Sequence, residues 1–280
     1  MALITQKEKA NQFRQLHSAP DMLVLPNAWD AASACILEQA GFQAIATTSS
    51  GVAASLGYPD GQHISRDMLL GVVENITRVV ACPVSIDIEA GFGESIEEVV
   101  KIVEAIIRAG AVGINIEDTT KQGQPSLVDI AYQVELLKAI QEAAASMDVP
   151  LVINARTDVY LLPGDEAASR FERAVERANA YLQAGADCAF PIGVSDAPTI
   201  ARLVKAIAGP INIIAGPPAP ALTELAQLGV ARVTFASGLM RATLGHLQHI
   251  ARELLANGTY TNMGEHLLSG RDFRSLFEAR

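Results

Sequence analysis

Eight short apolar runs, each followed by an amphipathic helical run, predict an α/β chain folded as a (β/α)8 TIM-type barrel within 280 residues. Two further features support that reading. An Ala-Gly or Leu-Gly pair repeatedly runs straight into an apolar segment, as AGFQAIAT, AGAVGINIE, AGADCAFP and LGVARVTF. The first apolar run lacks a glycine-rich phosphate turn, which an open doubly wound sheet, the alternative architecture, usually carries.

Taken in order, an N-terminal helix is expected over about 5–17, with a loop at 16–20 leading into the barrel. Strands are expected at 22–25, 43–47, 84–87, 113–116, 151–154, 188–190, 211–214 and 232–235. Helical patterns alternate with them at 31–40, 66–80, 95–109, 128–146, 165–184, 197–208, 220–228 and 238–256. Connections of helix length make successive strands parallel. Gly41, Gly110, Gly185 and Gly229 stand where a helix ends and the backbone turns left-handed. A tail over about 257–280 carries short helical patterns of its own, so 1–280 reads as one barrel domain with a helical extension at each end.

Half of the residues are hydrophobic, enough for a large core, and the formal net charge of -10 argues against nucleic acid as a partner. Cys35, Cys82 and Cys188 are widely spaced and form no metal or disulfide framework, as expected of a reduced cytoplasmic protein. The first fifteen residues have no apolar signal core, and no apolar run is long enough to span a bilayer, so no membrane association is expected.

The most informative stretch is Val84-Ser85-Ile86-Asp87-Ile88-Glu89-Ala90-Gly91-Phe92-Gly93. Residues i and i+2 of a strand share a face, so Asp87 and Glu89 can converge just past the strand end. Adjacent carboxylates repel unless a cation or proton sits between them, and hard oxygen donors suit Mg²⁺. The run ending in Glu117 and Asp118 repeats this pattern. The plain alternative is that these acids only begin loops. Small polar residues follow the second strand at Thr47, Thr48, Ser49, Ser50 and Gly51, where backbone N–H groups could approach an anion. Arg156 follows the fifth strand, and its planar guanidinium either grips a substrate carboxylate or pairs with Glu117 or Asp158.

These motifs, in this order, resemble the isocitrate lyase / phosphoenolpyruvate mutase superfamily over nearly the whole chain. LPNAWDAASA, TTSSGVAASLGYPDG, SIDIEAGFG, GINIED and NARTD carry the resemblance. It implies a barrel that binds Mg²⁺, with Mn²⁺ as a substitute, mainly through Asp87, with Glu89 and Glu117 acting through waters. It implies a small anionic 2-oxo acid or dicarboxylate whose oxygens meet Thr48, Ser49 and Ser50 and whose carboxylate meets Arg156, with Asn212 also in the substrate set. Asp60, Lys121 and Arg156 are the implied catalytic residues. The resemblance further implies a homotetramer, a dimer of dimers in which a C-terminal helix swaps between subunits.

The chain departs from that pattern between Glu117 and Ser126, where the lyases carry a K-[KR]-C-G-H loop and this sequence has neither Cys nor His. Cleavage of isocitrate or methylisocitrate is therefore not expected. The reading is a Mg²⁺-dependent C–C lyase or decarboxylase acting on a small 2-oxo acid or substituted dicarboxylic acid through a metal-bound enolate. The alternatives are a phosphonopyruvate/phosphoenolpyruvate-type P–C mutase or hydrolase, in which Lys121 and Thr119 or Thr120 would act, and a non-catalytic 2-oxo acid binding protein.

Overall fold

The computed structural model describes residues 4–18, 20–120, 124–163 and 167–278. Its strands are β1 (Leu23–Val24), β2 (Asn27–Ala28), β3 (Ile45–Thr47), β4 (Val84–Asp87), β5 (Gly113–Glu117), β6 (Val152–Thr157), β7 (Cys188–Pro191), β8 (Asn212–Ile214) and β9 (Arg232–Thr234). The helices are α1 (Gln6–Leu16), α2 (Ala31–Gln39), α3 (Ser49–Ser55), α4 (Arg66–Val79), α5 (Ile96–Arg108), α6 (Ile130–Ser146), α7 (Ala167–Gln183), α8 (Ala197–Ala206), α9 (Leu222–Gln227), α10 (Gly238–Asn257), α11 (Thr261–Glu265) and α12 (Gly270–Ser275).

All strand pairs are parallel and follow chain order: β2 to β7 form one sheet, and β1, β9 and β8 another. A parallel bridge between Ala189 and Ile211 joins the sheets on one side. On the other, β1 and β2 are consecutive pieces of one extended segment, the first paired with β9 and the second with β3. This is the strand order of the expected barrel, without the reversal of a doubly wound sheet. The first strand is split where Pro26 has no N–H to give to a ladder.

The helices between strands pack an apolar face on the barrel. In α5, Val99, Ile102, Val103, Ile106 and Ile107 are buried at helical spacing. Each such side chain contributes about 1.5–3 kcal/mol on burial. Ser95 caps the helix by accepting from the Glu98 amide, while Glu97 and Glu98 sit in its first turn and Arg108 in its last, matching the helix dipole. One helix was not anticipated: α3 begins inside the small polar segment after β3, because Thr48 takes an extended N-cap conformation and Val52, Ala53 and Ala54 continue the turn.

Among the described residues no helix is long and apolar enough to cross a membrane. The last three helices and the segments between them leave large apolar side chains in solvent: Leu255 in α10 is 89% exposed, Tyr260 before α11 71% and Phe273 in α12 60%.

Candidate active site

Sequence and geometry meet at the ends of β3 to β6. A cavity of about 180 Å³ opens there. Its wall includes Thr48, Ser49, Ser50, Asp60, Asp87, Arg156 and Asn212, so most of the sequence-predicted set comes together around one space. Lys121 lies outside the described residues.

Asp87 ends β4 and is held from three sides. Its Oδ2 accepts from the Ser49 amide at 2.9 Å, and its Oδ1 from Asn115 Nδ2 at 2.9 Å and from the Glu89 amide at 3.3 Å. The Thr47 hydroxyl accepts from the Asp87 amide at 2.8 Å. The chain then turns through Glu89 and Phe92, both with positive φ, and the two glycines that flank Phe92 are required by packing. A Cβ on Gly91 would lie 2.5 Å from Val99 Cγ1, and one on Gly93 2.8 Å from the Val99 nitrogen. The Gly-Phe-Gly turn thus seats the loop after β4 against the start of α5.

One expectation changes. The Thr48 and Ser49 amides were expected to face substrate oxygens, but the first donates to Ala28 O at 3.3 Å and the second to Asp87. The hydroxyls of Thr48 and Ser50 lie 3.3 Å apart on the cavity wall. Asp87 was expected to be the main metal ligand, with Glu89 and Glu117 acting through waters. Among the described residues, no group of three His, Cys, Asp or Glu side chains is arranged to hold one. Glu89, 3% exposed, accepts from the Gln62 amide at 2.9 Å, and Glu117, 2% exposed, lies 2.7 Å from Arg156 Nη1. Each turns to a nearer donor, and only Asp87 of the three lines the cavity. The donor set still suits a hard cation bound through one carboxylate and water, since Mg²⁺ commonly keeps several waters.

Arg156, on β6, pairs with both acids that were open to it and still reaches the cavity. Its Nε and Nη2 donate to Asp158 at 2.5 and 3.0 Å, its Nη1 faces Glu117, and the side chain lines the cavity. Burial works against its charge, but Glu117, then Asp158, and Asp87 beyond them, reverse this and hold the guanidinium above its ordinary value. With five N–H donors, a guanidinium held at this edge keeps others for a ligand. Asp158 is braced in turn by Thr119 Oγ1 at 2.7 Å, and its amide donates to Asp118 at 2.9 Å. Asp118, fully buried, accepts from Arg177 at 3.0 Å and from the Tyr181 hydroxyl at 2.7 Å.

Sequence reasoning missed the layer beneath. Asn27, Ser85, Asn115, Asn154, Arg232 and Thr234 also line the cavity, and Phe190, Ile192 and Ile214 give its apolar wall. Asn154 Nδ2 donates to Asn115 Oδ1 at 2.7 Å, extending the chain of amides that ends on Asp87. The available signal was a polar residue two positions before each rim residue: Ser85 before Asp87, Asn115 before Glu117, Asn154 before Arg156. None of the three cysteines lines the cavity, and burial pushes the Cys82 and Cys188 thiols up to about 12.

The family model described as phosphoenolpyruvate phosphomutase matches residues 13–255. The 2-methylisocitrate lyase of Escherichia coli is 32% identical, over 88% of this chain and 84% of that protein. A solved structure from Burkholderia cenocepacia superposes with a TM-score of 0.88 at 36% identity, covering 98% of this chain and 97% of its own. The 2,3-dimethylmalate lyase structure shares the fold with a TM-score of 0.83 at 24% identity, over 96% of this chain and 91% of that one.

Proposed function

The chain belongs to the phosphoenolpyruvate phosphomutase family, within the isocitrate lyase / phosphoenolpyruvate mutase superfamily, and we propose that it is a divalent-metal-dependent C–C lyase or decarboxylase. The substrate class is a small 2-oxo acid or substituted dicarboxylic acid. The observation that carries this reading is the pairing, on one small cavity, of a firmly oriented Asp87 with a guanidinium that stays charged at any physiological pH.

Asp87 would hold the cation, Mg²⁺ or Mn²⁺, as its one direct carboxylate ligand. Glu89 and Glu117 stand behind as buried negative charge. Once bound, the cation supplies a Lewis acid for the carbonyl oxygen of the oxo acid. Arg156 binds the adjacent carboxylate, and its two acidic neighbours fix the plane in which it does so. The hydroxyls of Thr48, Ser49 and Ser50 and the amide of Asn212 complete the polar wall. In decarboxylation the bond from C3 to the departing carboxylate breaks. Its electron pair moves into the C2–C3 bond and onto the C2 oxygen, CO₂ leaves, and C3 then takes a proton. Asp60, exposed at the cavity wall, can pass that proton from water. No cysteine acid is needed, in keeping with a 117–126 loop without Cys or His. Lys121, in the same loop, is the second candidate for handling a proton.

Relatives named 2-methylisocitrate lyase support the lyase reading. The name of the family model supports a second one, a P–C mutase or hydrolase. A pyruvate-release screen with Mg²⁺ over oxaloacetate, alkylmalates, methylisocitrate and phosphonopyruvate separates them. Release from oxaloacetate or an alkylmalate is expected. Pyruvate release from phosphonopyruvate alone, or its conversion to phosphoenolpyruvate without release, would favour the second reading, and thermal stabilisation by the panel without any product would reduce the protein to an oxo-acid binder. Robust succinate formation from methylisocitrate would show that another residue replaces the missing cysteine.

We also place the protein in the cytoplasm as a homotetramer. The exposed apolar side chains of α10 to α12 support a C-terminal segment that packs on a second copy of the chain.

A further inference from the structure

The cavity does not end at Asp87. It continues inward past Ser85 and Asn154 to Arg232, which opens β9 and is 1% exposed. An arginine buried this deeply is ordinarily paired with a carboxylate. Among the described residues Arg232 makes no ion pair; the one hydrogen-bond contact of its side chain is Nη1 to His17 Nε2 at 3.4 Å, a long contact to a neutral ring. His17 Nδ1 lies 2.9 Å from Phe13 O, which marks it as the protonated nitrogen and leaves Nε2 only an acceptor. Arg232 Nε has no partner, nor has the Ser85 hydroxyl or Asn154 Oδ1, and all three residues line the same cavity.

The orphaned groups are complementary to one kind of occupant. A guanidinium edge and a hydroxyl offer hydrogens to an anion. Asn154 Oδ1 cannot do so: Asp87 accepts only, which orients Asn115 and then Asn154 and leaves this oxygen for a donor such as a water on the anion. We propose that the inner end of the cavity is an anion subsite built on Arg232 and Ser85, which takes one singly charged group of carboxylate or halide size. The group is either the second carboxylate of a four-carbon acid whose first carboxylate lies at Arg156, or a free monoanion beneath the ligand. The subsite rests on the cavity and its unpaired cation, not on any reaction.

Bromide is the probe for the free anion, and (S)-malate against (S)-lactate, which share a 2-hydroxy acid head and differ by one carboxylate, is the probe for the second source. Full-length protein is melted in sodium bromide and in sodium gluconate at equal ionic strength, and wild-type crystals soaked in bromide are measured for anomalous scattering. A bromide peak at Arg232 and a melting temperature raised by bromide in wild type but not in Arg232→Met are expected. If bromide weakens malate binding tenfold or more and leaves lactate unchanged, the second carboxylate is the natural occupant. If it leaves both unchanged, the occupant is a free anion. The wild-type measurements stand even where Arg232→Met fails to fold. The proposal is overturned if wild type shows no bromide peak and no ion-specific shift and also binds malate and lactate equally. It is overturned as well if Arg232→Met responds to bromide as wild type does.

Discussion

Two arginines reach the same cavity from opposite sides of the barrel, and their surroundings could hardly differ more. Arg156, on β6, is bracketed by Glu117 and Asp158, and its charge is reinforced. Arg232, on β9, faces a neutral histidine, and burial pushes it down to about 10 although Cys188 and Asp87 oppose that shift. The comparison teaches where orientation comes from. The half built by β3 to β6 holds its charges in hydrogen-bonded pairs, so ligand groups meet donors already fixed in place. The half built by β7 to β9 offers Phe190, Ile192 and Ile214, an Asn212–Thr234 pair bonded to itself at 3.1 Å, and one guanidinium with no acidic partner among the described residues. A polar head with a less polar flank is the ligand shape that such a cavity fits.

Asp87 belongs to both halves, since its charge acts on both arginines. Removing it should have the largest effect. Asp87→Ala is expected to abolish Mg²⁺-dependent binding of oxalate or pyruvate, a loss beyond about a hundredfold, or roughly 3 kcal/mol. The fold should survive, because the side chain lies at the end of β4 against the cavity and not in the apolar core. Calorimetry decides the matter, and unchanged oxalate affinity in the variant would remove Asp87 from the site.

The paired half is broken next by Arg156→Lys. An ammonium keeps the charge but cannot donate along one edge to Asp158 while serving a ligand with the other. Truncating one side of a buried charge pair costs about 2–5 kcal/mol. Keeping the charge should place Arg156→Lys near the low end, so oxo-acid affinity should fall about thirtyfold. A fall of less than about threefold, under roughly 1 kcal/mol, would make Arg156 a structural partner of Glu117 and Asp158 alone.

How much of this was legible in the sequence follows the same division. The barrel was legible because eight apolar runs alternate with helical ones, and the rim was legible because Asp87, Glu117 and Arg156 break apolar runs with charge. What those charges do to one another was not. Glu117 and Asp87 look alike in sequence, yet one faces an arginine and the other the cavity, a choice made by neighbouring strands paired across long separations. The register sets Glu117 directly beside Arg156, and Asp87 beside Asn115. Arg232 was passed over for a different reason. It lies at the start of its strand, where barrel sites are not sought, and its contact with His17 spans the length of the chain. The split of the first strand and the short α3 depend on one proline and one N-cap, details too local for run-length patterns.

The unpaired half can be sharpened by pH. Burial, with the Arg232 charge beside it, pushes His17 from 6.5 down to about 3. The unfolded chain therefore takes up a proton near 6.5 that the folded one refuses. This contribution is fully present above that pH and is lost as pH falls from 6.5 towards 3, with a slope of about 1.4 kcal/mol per pH unit. Between pH 7 and pH 5 wild type should lose about 2 kcal/mol more than His17→Gln, since glutamine cannot titrate. Urea denaturation at the two pH values measures this. Equal losses would mean that His17 is not held neutral and that Arg232 has a different neighbour.

The smallest effect lies behind the paired half. Tyr181 donates to Asp118 at 2.7 Å, and Asp118 in turn accepts from the amide of Asp158, the residue that holds Arg156. Tyr181→Phe keeps the ring in its fully buried place and removes only the hydroxyl, which also accepts from Arg177 Nη1 at 2.9 Å. Asp118 keeps the Arg177 guanidinium at 3.0 Å, so the carboxylate is weakened in its support and not stranded. A hydrogen bond to a charged group is worth about 1.5–3 kcal/mol, and the surviving partner places this loss near the lower figure. The melting temperature should fall by about 3–6 °C, at roughly 2–4 °C for each kcal/mol. Oxo-acid affinity should stay within about twofold, because Thr119 still fixes Asp158 from the other side. If affinity instead falls by more than about fivefold, near 1 kcal/mol, the orientation of Arg156 depends on a brace three residues away, and the paired half is less rigid than its hydrogen bonds imply.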